Sequence, residues 1–265
     1  MNFNFLKRLI SAIVLFPILV LVLLKGSHSV ITVLVALSIL ICWHEWIRLF
    51  DFSRGYFLLG SLTLLFVIYQ SSFISWPILF FLVFFMSFLP FLFYFRRENF
   101  TSQFFPLIAG LFYLMLGFIP ILVLSKEYPR EYLLFLFSVV FATDTGAYLA
   151  GKLLGRRPFF SQISPKKTWE GFFGGIFLAL LVGILLREIF SLWSLKTSML
   201  ISLVLSLSET CGDLFESAVK RSVGKKDAGA LIPGHGGLLD RIDGVLFASP
   251  FFLLFLEVIN NGVIH

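Results

Sequence analysis

The sequence has few charged residues and few cysteines for its length. Only 14% of its 265 residues are Asp, Glu, Lys or Arg, whereas 58% are hydrophobic. Soluble domains have about a quarter charged residues, so this composition excludes an ordinary water-soluble globule. The two cysteines, Cys42 and Cys211, both lie in apolar segments, which excludes a disulfide framework. Internal repeats and low-complexity segments are also absent from the sequence.

Long apolar runs fill most of the chain, whose mean hydropathy is +0.96. A bilayer is crossed by about 20 apolar residues in a helix, and charged or turn-rich breaks separate runs of that length. We therefore predict an all-α polytopic membrane protein with about nine transmembrane helices. The predicted spans lie near residues 9–25, 29–47, 56–72, 75–95, 104–124, 132–151, 170–190, 197–216 and 245–262.

The first apolar run follows Lys7 and Arg8, as in a secretory signal peptide. It continues to Leu24 without a small-residue cleavage site, so we expect an uncleaved first span.

The distribution of basic residues predicts the orientation. With the N-terminus in the cytoplasm and the C-terminus outside, most of the 21 lysines and arginines fall in inner loops, as the positive-inside rule requires. The net charge of +6 then reflects topology, and we expect no nucleic-acid partner. We divide the chain into an N-terminal region of about five spans, 1–130, and a catalytic region, 131–265, with cytoplasmic loops 152–169 and 217–244.

Carboxyl groups occur inside the predicted spans. Asp144 lies in the sixth span, and Glu209, Asp213 and Glu216 lie in the inner half of the eighth. A carboxylate in a span is costly unless it is paired, solvated or bound to a metal, so each is a candidate for function. The alternative for Glu216 is a helix end that reaches the headgroups. Helical spacing places Asp213, Glu216, Ser217 and Lys220 on one face.

Two adjacent lysines, Lys166 and Lys167, lie in the segment SPKKTWEG, residues 164–171. One interpretation is that they mark the cytoplasmic side of the membrane. The other is a phosphate clamp, in which both ammonium groups and a helix N-terminus bind phosphate oxygens.

Residues 217–243, here called the signature segment, combine basic groups, glycines and two carboxylates. Asp240 and Asp243 are three residues apart, a spacing that lets both reach the same cation or neighbouring cations. The glycines on both sides of His235 allow close approach of the backbone to a ligand. Acids for a metal and bases for phosphates indicate nucleotide chemistry, whereas the alternative is a solvated loop of mixed charge in which His235 is structural.

The signature segment resembles that of the phosphatidate cytidylyltransferases, or CDP-diacylglycerol synthases. Their pattern is S-x-apolar-K-R, four residues, K-D-x-small, then P-x-H-G-G-apolar-x-D-R-apolar-D, and every fixed position is met here. A second block, Asp144-Thr145-Gly146-Ala147-Tyr148 followed by Gly151, Gly155 and SPKKTWEG, extends the resemblance over the C-terminal half. The family often carries hydroxyl side chains where this chain has Ala228 and Gly229.

The resemblance implies transfer of CMP from CTP to phosphatidate in the bilayer, with Mg²⁺ as cofactor and one or two ions bound. We expect Asp213, Asp240 and Asp243 as the metal ligands. The expected catalytic residues are Asp213, Lys220, Arg221, Lys226, Asp227, His235, Asp240 and Asp243. The expected substrate-binding residues are Asp144, Ser164, Lys166, Lys167, Ser217, Gly236, Gly237 and Arg241.

Three other classes remain open at this point. A transporter would also place carboxylates in its spans, and ion-dependent flux would identify it. A lipid alcohol phosphotransferase or a polyprenol kinase would also be membrane-embedded and metal-dependent, but a kinase would release a nucleoside diphosphate and not pyrophosphate. A membrane scaffold would bind no nucleotide. The family also implies a homodimer, and the compact chain suits a bacterial plasma membrane with the active site facing the cytoplasm.

Overall fold

The computed structural model describes residues 17–71, 73–74, 76–87, 100–229 and 236–260. Within these ranges the chain is helical, without a strand, and has one isolated bridge between Pro158 and Thr168. Residues 17–25 are also helical. The further helices are α1 (His28–Leu49), α2 (Arg54–Gln70), α3 (Trp76–Ser87), α4 (Phe100–Glu127), α5 (Arg130–Leu154), α6 (Trp169–Phe190), α7 (Leu195–Ser222) and α8 (Leu239–Asn260).

The prediction of an all-α membrane protein is confirmed. Six helices in the described part of the chain are long and apolar enough to cross a bilayer, and α2 is a shorter apolar helix. Parts of the predicted spans 9–25, 56–72, 75–95 and 245–262 lie outside the described residues. The count of nine and the orientation of the termini stay predictions.

The helices divide between two compact units, the first of which comprises residues 1–130 and 223–242. Within it, α1 carries two fully buried tryptophans, Trp43 and Trp46. The indole of Trp43 donates to the carbonyl of Phe57 at 3.1 Å, and that of Trp46 donates to the carbonyl of Pro106 at 2.9 Å. Burial with a satisfied N–H is the favourable state for tryptophan, so these rings hold α1 firmly against α2 and α4.

The second unit comprises residues 131–222 and 243–265. Its helices α5 and α6 approach closely through small residues, the usual device for packing helices in a bilayer. A Cβ on Gly146 would lie 2.5 Å from the carbonyl oxygen of Gly174, and one on Gly171 would lie 2.8 Å from that of Ala147. The close contact fixes the start of α6, and therefore the segment before it, against α5.

Candidate active site

Two pairs of lysine and carboxylate lie at the polar end of α7. The Nζ of Lys167 is 2.5 Å from Asp213, which also accepts from the hydroxyl of Ser217 at 3.2 Å. One turn further along, the Nζ of Lys220 is 2.5 Å from Glu216. Lys220 and Glu216 are 8% and 1% exposed. Burial at this depth makes each charge dependent on its partner, because an unpaired charge there would be costly.

Backbone hydrogen bonds on both sides hold Lys167 in place. Its N–H donates to the carbonyl of Ser164 at 3.1 Å, and its carbonyl accepts from the N–H of Phe159 at 2.8 Å. The buried ring of Phe159 packs on Trp169 and Phe172, with centroids 4.5 and 5.1 Å away. Residues 158–169 are therefore an ordered turn that presents Lys167 to Asp213. Lys166, by contrast, is exposed.

The N-terminus of α6 is already occupied by groups of the protein. The hydroxyl of Thr168 accepts from Gly171 N–H at 3.1 Å, and Trp169 N–H donates to the carbonyl of Arg157 at 3.0 Å. The Glu170 carboxylate in the same turn accepts from the backbone N–H groups of residues 156 and 157. These N–H groups are thus taken, and a phosphate in this segment would depend on basic side chains.

Carboxyl groups of three helices gather near the paired lysines. Buried Glu209 interacts electrostatically with Asp144, Asp213 and Asp243, and with Lys167. Asp243 in turn interacts with Asp213, Glu216 and Lys220. We call the five acids Asp144, Glu209, Asp213, Glu216 and Asp243 the carboxyl cluster.

The donor chemistry of the carboxyl cluster fits a divalent cation. Its five carboxyl groups are hard oxygen donors of the kind that Mg²⁺ prefers, and Lys167 and Lys220 lie among them. Within the described ranges, no three His, Cys, Asp or Glu side chains converge closely enough to hold an ion as they stand. Asp213 and Asp243, two of the three predicted ligands, belong to the cluster.

The third predicted ligand, Asp240, binds backbone of the signature segment in the first unit. Its carboxylate accepts from Ala228 N–H at 3.0 Å and from Gly237 N–H at 2.8 Å. Gly236 beside it has φ +81°, a conformation that favours glycine. Asp240 therefore ties the two described parts of this segment together across residues 230–235.

A carboxylate that sequence reasoning missed, Glu45 of α1, binds the same backbone. It is 4% exposed and accepts from Leu238 N–H at 2.9 Å and Leu239 N–H at 2.8 Å. Gly229 and Gly237 pack on it so closely that a Cβ on either would lie 2.5 or 2.6 Å from a carboxylate oxygen. An indication was present, because Glu45 lies in the predicted span 29–47.

Lys225 anchors the signature segment at a second point on α1. Its Nζ donates to the carbonyls of Arg48 and Leu49 at 2.6 and 2.9 Å, and lies 3.1 Å from Asp51. A lysine there satisfies carbonyls that the helix end leaves open. A cavity of 470 Å³ lies beside these anchors. It is lined by Leu40, Ile41, His44, Glu45, Arg48, Phe57 and Gly229.

The other predicted site residues are distributed as follows. Asp144, Arg221, Lys226, Asp227 and Arg241 are exposed. Ser164, Ser217 and Gly236 are half-buried, and Gly237 is buried. His235 lies outside the described residues, so its predicted role stays a prediction.

Comparison with known proteins gives a consistent result. The sequence model of the cytidylyltransferase family matches residues 6–259. A Staphylococcus epidermidis protein named phosphatidate cytidylyltransferase is 42% identical over 133 residues, 50% of this chain and 51% of the relative. A relative of the same name from Staphylococcus saprophyticus is 39% identical over 165 residues, 61% of this chain and 62% of the relative. A third, from Staphylococcus aureus, is 41% identical over 136 residues, 50% of this chain and 51% of the relative. The chain thus spans about half to three fifths of the length of the curated relatives it matches.

Proposed function

The chain belongs to the cytidylyltransferase family, and from this we propose that it transfers CMP from CTP to phosphatidate, giving CDP-diacylglycerol and pyrophosphate. The curated relatives carry the name of that activity. The observation that carries the proposal is the ion pair between Lys167 and Asp213 at 2.5 Å. It brings Lys167 of the second block beside Asp213, which precedes the signature segment on α7, and it supports a phosphate-binding lysine next to a metal-binding carboxylate.

The reaction needs positioning and charge neutralisation more than covalent help. An oxygen of the lipid phosphate attacks the α-phosphorus of CTP in line, forming the new P–O bond. The bond from that phosphorus to the bridging oxygen breaks, and pyrophosphate leaves with the electron pair. A general base is not required, because a phosphate monoester is largely dianionic at neutral pH.

The lysines are the groups that we assign to the phosphates. Lys167 and Lys220 are held by Asp213 and Glu216, so each ammonium is oriented before a substrate arrives. Lys166, Arg221 and Lys226 are exposed and would add positive charge around the triphosphate and the lipid headgroup. Arg241 pairs with neighbouring acids in this proposal, and Asp144 supports a basic group or the cation.

Mg²⁺ is the cofactor that we propose, with one or two ions held by Asp213 and Asp243. A divalent cation would offset the charge of the phosphates and orient the reacting groups. Asp240 is assigned as a ligand from the sequence, in addition to its hydrogen bonds with Ala228 and Gly237.

The protein is an integral membrane protein, and we infer a bacterial plasma membrane with the site facing the cytoplasm. The apolar spans suit a lipid substrate, because the acyl chains of phosphatidate stay in the bilayer. A homodimer is part of the same inference and rests on the family resemblance alone.

The test uses purified protein in detergent with phosphatidate, Mg²⁺ and CTP labelled at the α-phosphate. We expect the label to enter the organic phase as CDP-diacylglycerol, to require the metal, and to be lost in Asp243→Asn. Glu188→Gln, at an exposed acid on α6, is the control and keeps full transfer. Absence of transfer in folded protein would reject the proposal, and transfer from γ-labelled nucleotide would instead identify a kinase.

A further inference from the structure

Glu45 is buried among backbone groups of the signature segment, although 193 and 194 residues separate it from its hydrogen-bond donors. Its two carboxylate oxygens each accept one N–H, from Leu238 and Leu239. The preceding N–H, that of Gly237, goes to Asp240. Three consecutive N–H groups at the start of α8 are thus bound by two carboxylates, which satisfies donors that a helix N-terminus leaves open.

The helix that carries Glu45 is also held by contacts outside the signature segment. The buried rings of Trp43 and Trp46 lock α1 to α2 and α4. The end of α1 receives Lys225 on its last carbonyls. The signature segment therefore contacts α1 at both Glu45 and Lys225, and α1 is a fixed reference for its backbone.

Two glycines of the signature segment make room for Glu45. Side chains at Gly229 or Gly237 would collide with the carboxylate. Gly229 occupies one of the two positions at which the family often carries hydroxyls. In this chain the space that such a side chain would need is filled by Glu45.

We propose that Glu45 is a positioning residue of the active site, which acts by fixing the backbone of the signature segment at the start of α8. The activity part of this proposal rests on the proposed function. Its structural part, local ordering of residues 236–242, does not. Displacement of reacting groups by about 1 Å lowers the rate by about 100-fold. A less ordered backbone in the signature segment should therefore lower the turnover rate.

The test compares Glu45→Gln and Glu45→Ala with wild type in detergent. Glutamine keeps the shape but presents an NH₂ to one of the two N–H donors, whereas alanine removes both acceptors. Glu127→Gln, the same change at an exposed glutamate in the same unit, is the matched control. Hydrogen exchange of peptides covering residues 236–242 is followed by mass spectrometry, together with kcat and KM for CTP.

We expect exchange in residues 236–242 to accelerate at least tenfold in Glu45→Ala and less in Glu45→Gln, with the rest of α1 to α4 unchanged. We expect kcat/KM for CTP to fall about tenfold in Glu45→Gln and further in Glu45→Ala. Unchanged local exchange would overturn the proposal. Faster exchange throughout the first unit would overturn it too, because Glu45 would then serve only general stability.

Unchanged kcat/KM with faster local exchange would also overturn the positioning role. If wild-type protein transfers no label from CTP, the proposed function fails. The exchange experiment would then still decide whether Glu45 orders the segment.

Discussion

Asp240 and Asp243 lie one turn apart on α8, and the same Asp→Asn change is expected to affect stability in opposite directions. Asp243 lies in the carboxyl cluster, where Asp213 is a like charge, Lys220 is an opposing charge and Glu216 is a hydrogen-bond partner. Asp240 instead accepts two backbone N–H bonds. Asparagine is nearly isosteric with aspartate, so each variant tests charge rather than volume.

The expected changes in the free energy of unfolding follow from the groups around Asp243 and Asp240. Like charges within the range of about 4–6 Å over which neighbouring groups interact strongly repel by about 3–4 kcal/mol at an effective dielectric constant of about 20. Lys220 offsets part of this repulsion, and the structure relaxes around it. We therefore expect Asp243→Asn to raise the free energy of unfolding by about 1–2 kcal/mol in the absence of Mg²⁺. Asp240→Asn should lower the free energy of unfolding by about 1.5–3 kcal/mol, the range for hydrogen bonds to a charged group. For a chain of this size, 1 kcal/mol shifts Tm by about 2–4 °C.

The second part of the assay measures the effect of Mg²⁺ on Tm. A ligand at about 100 times its Kd stabilises the folded state by about 2.7 kcal/mol, so wild-type Tm should rise on titration with MgCl₂. Asp243→Asn should lose that rise and should not turn over substrate. Thermal unfolding in detergent, with and without Mg²⁺, measures both effects. A lower Tm for metal-free Asp243→Asn, or an equal rise with Mg²⁺ in both proteins, would refute the electrostatic argument.

Three further predictions concern the elements around the site. Lys167→Met should lower kcat/KM for CTP about 100-fold, as loss of one well-placed donor does, while exposed Lys166→Met lowers it only a few-fold. Comparable losses in initial-rate assays would contradict the clamp assigned to Lys167. Gly146→Ala should destabilise the α5–α6 contact, because its Cβ would meet a carbonyl oxygen at 2.5 Å, whereas at Gly151 the nearest atom is 3.3 Å away. Equal Tm values for Gly146→Ala and Gly151→Ala would argue against that packing. Phe159→Ala should cost about 3 kcal/mol and speed proteolysis within residues 155–168, and protease resistance like that of wild type would show that other contacts order this turn.

Hydropathy predicted the helices well, because a bilayer admits few structures other than helices for a spanning segment. It predicted the polar ends less well. The eighth predicted span, 197–216, continues in the structure as α7 to Ser222. Lys220 therefore belongs to a helix and pairs with Glu216 four residues before it. A hydropathy scale scores each residue separately. It therefore does not account for the fact that burying the Lys220–Glu216 pair costs less free energy than burying the two charges apart.

The role of Glu45 could not be derived from local pattern. Its partners are backbone N–H groups, which every sequence has, and they lie nearly 200 residues away. The rule that marked Asp144 and Asp213 as candidates applies equally to Glu45, since all three are carboxylates in predicted spans. The sequence does not show which groups Glu45 binds, and these are identified only in the folded structure.

The occupied helix N-termini limit how phosphate can be bound. Helix N-termini often bind phosphate through free N–H groups. In this protein Thr168 takes the N–H of Gly171 at α6, and Glu45 and Asp240 take those at the start of α8. A phosphate brought to α8 would also meet two carboxylates. Phosphate binding near these two helix starts must then depend on basic side chains, whose charges are screened by salt where they are exposed. The affinity for CTP should therefore weaken with ionic strength.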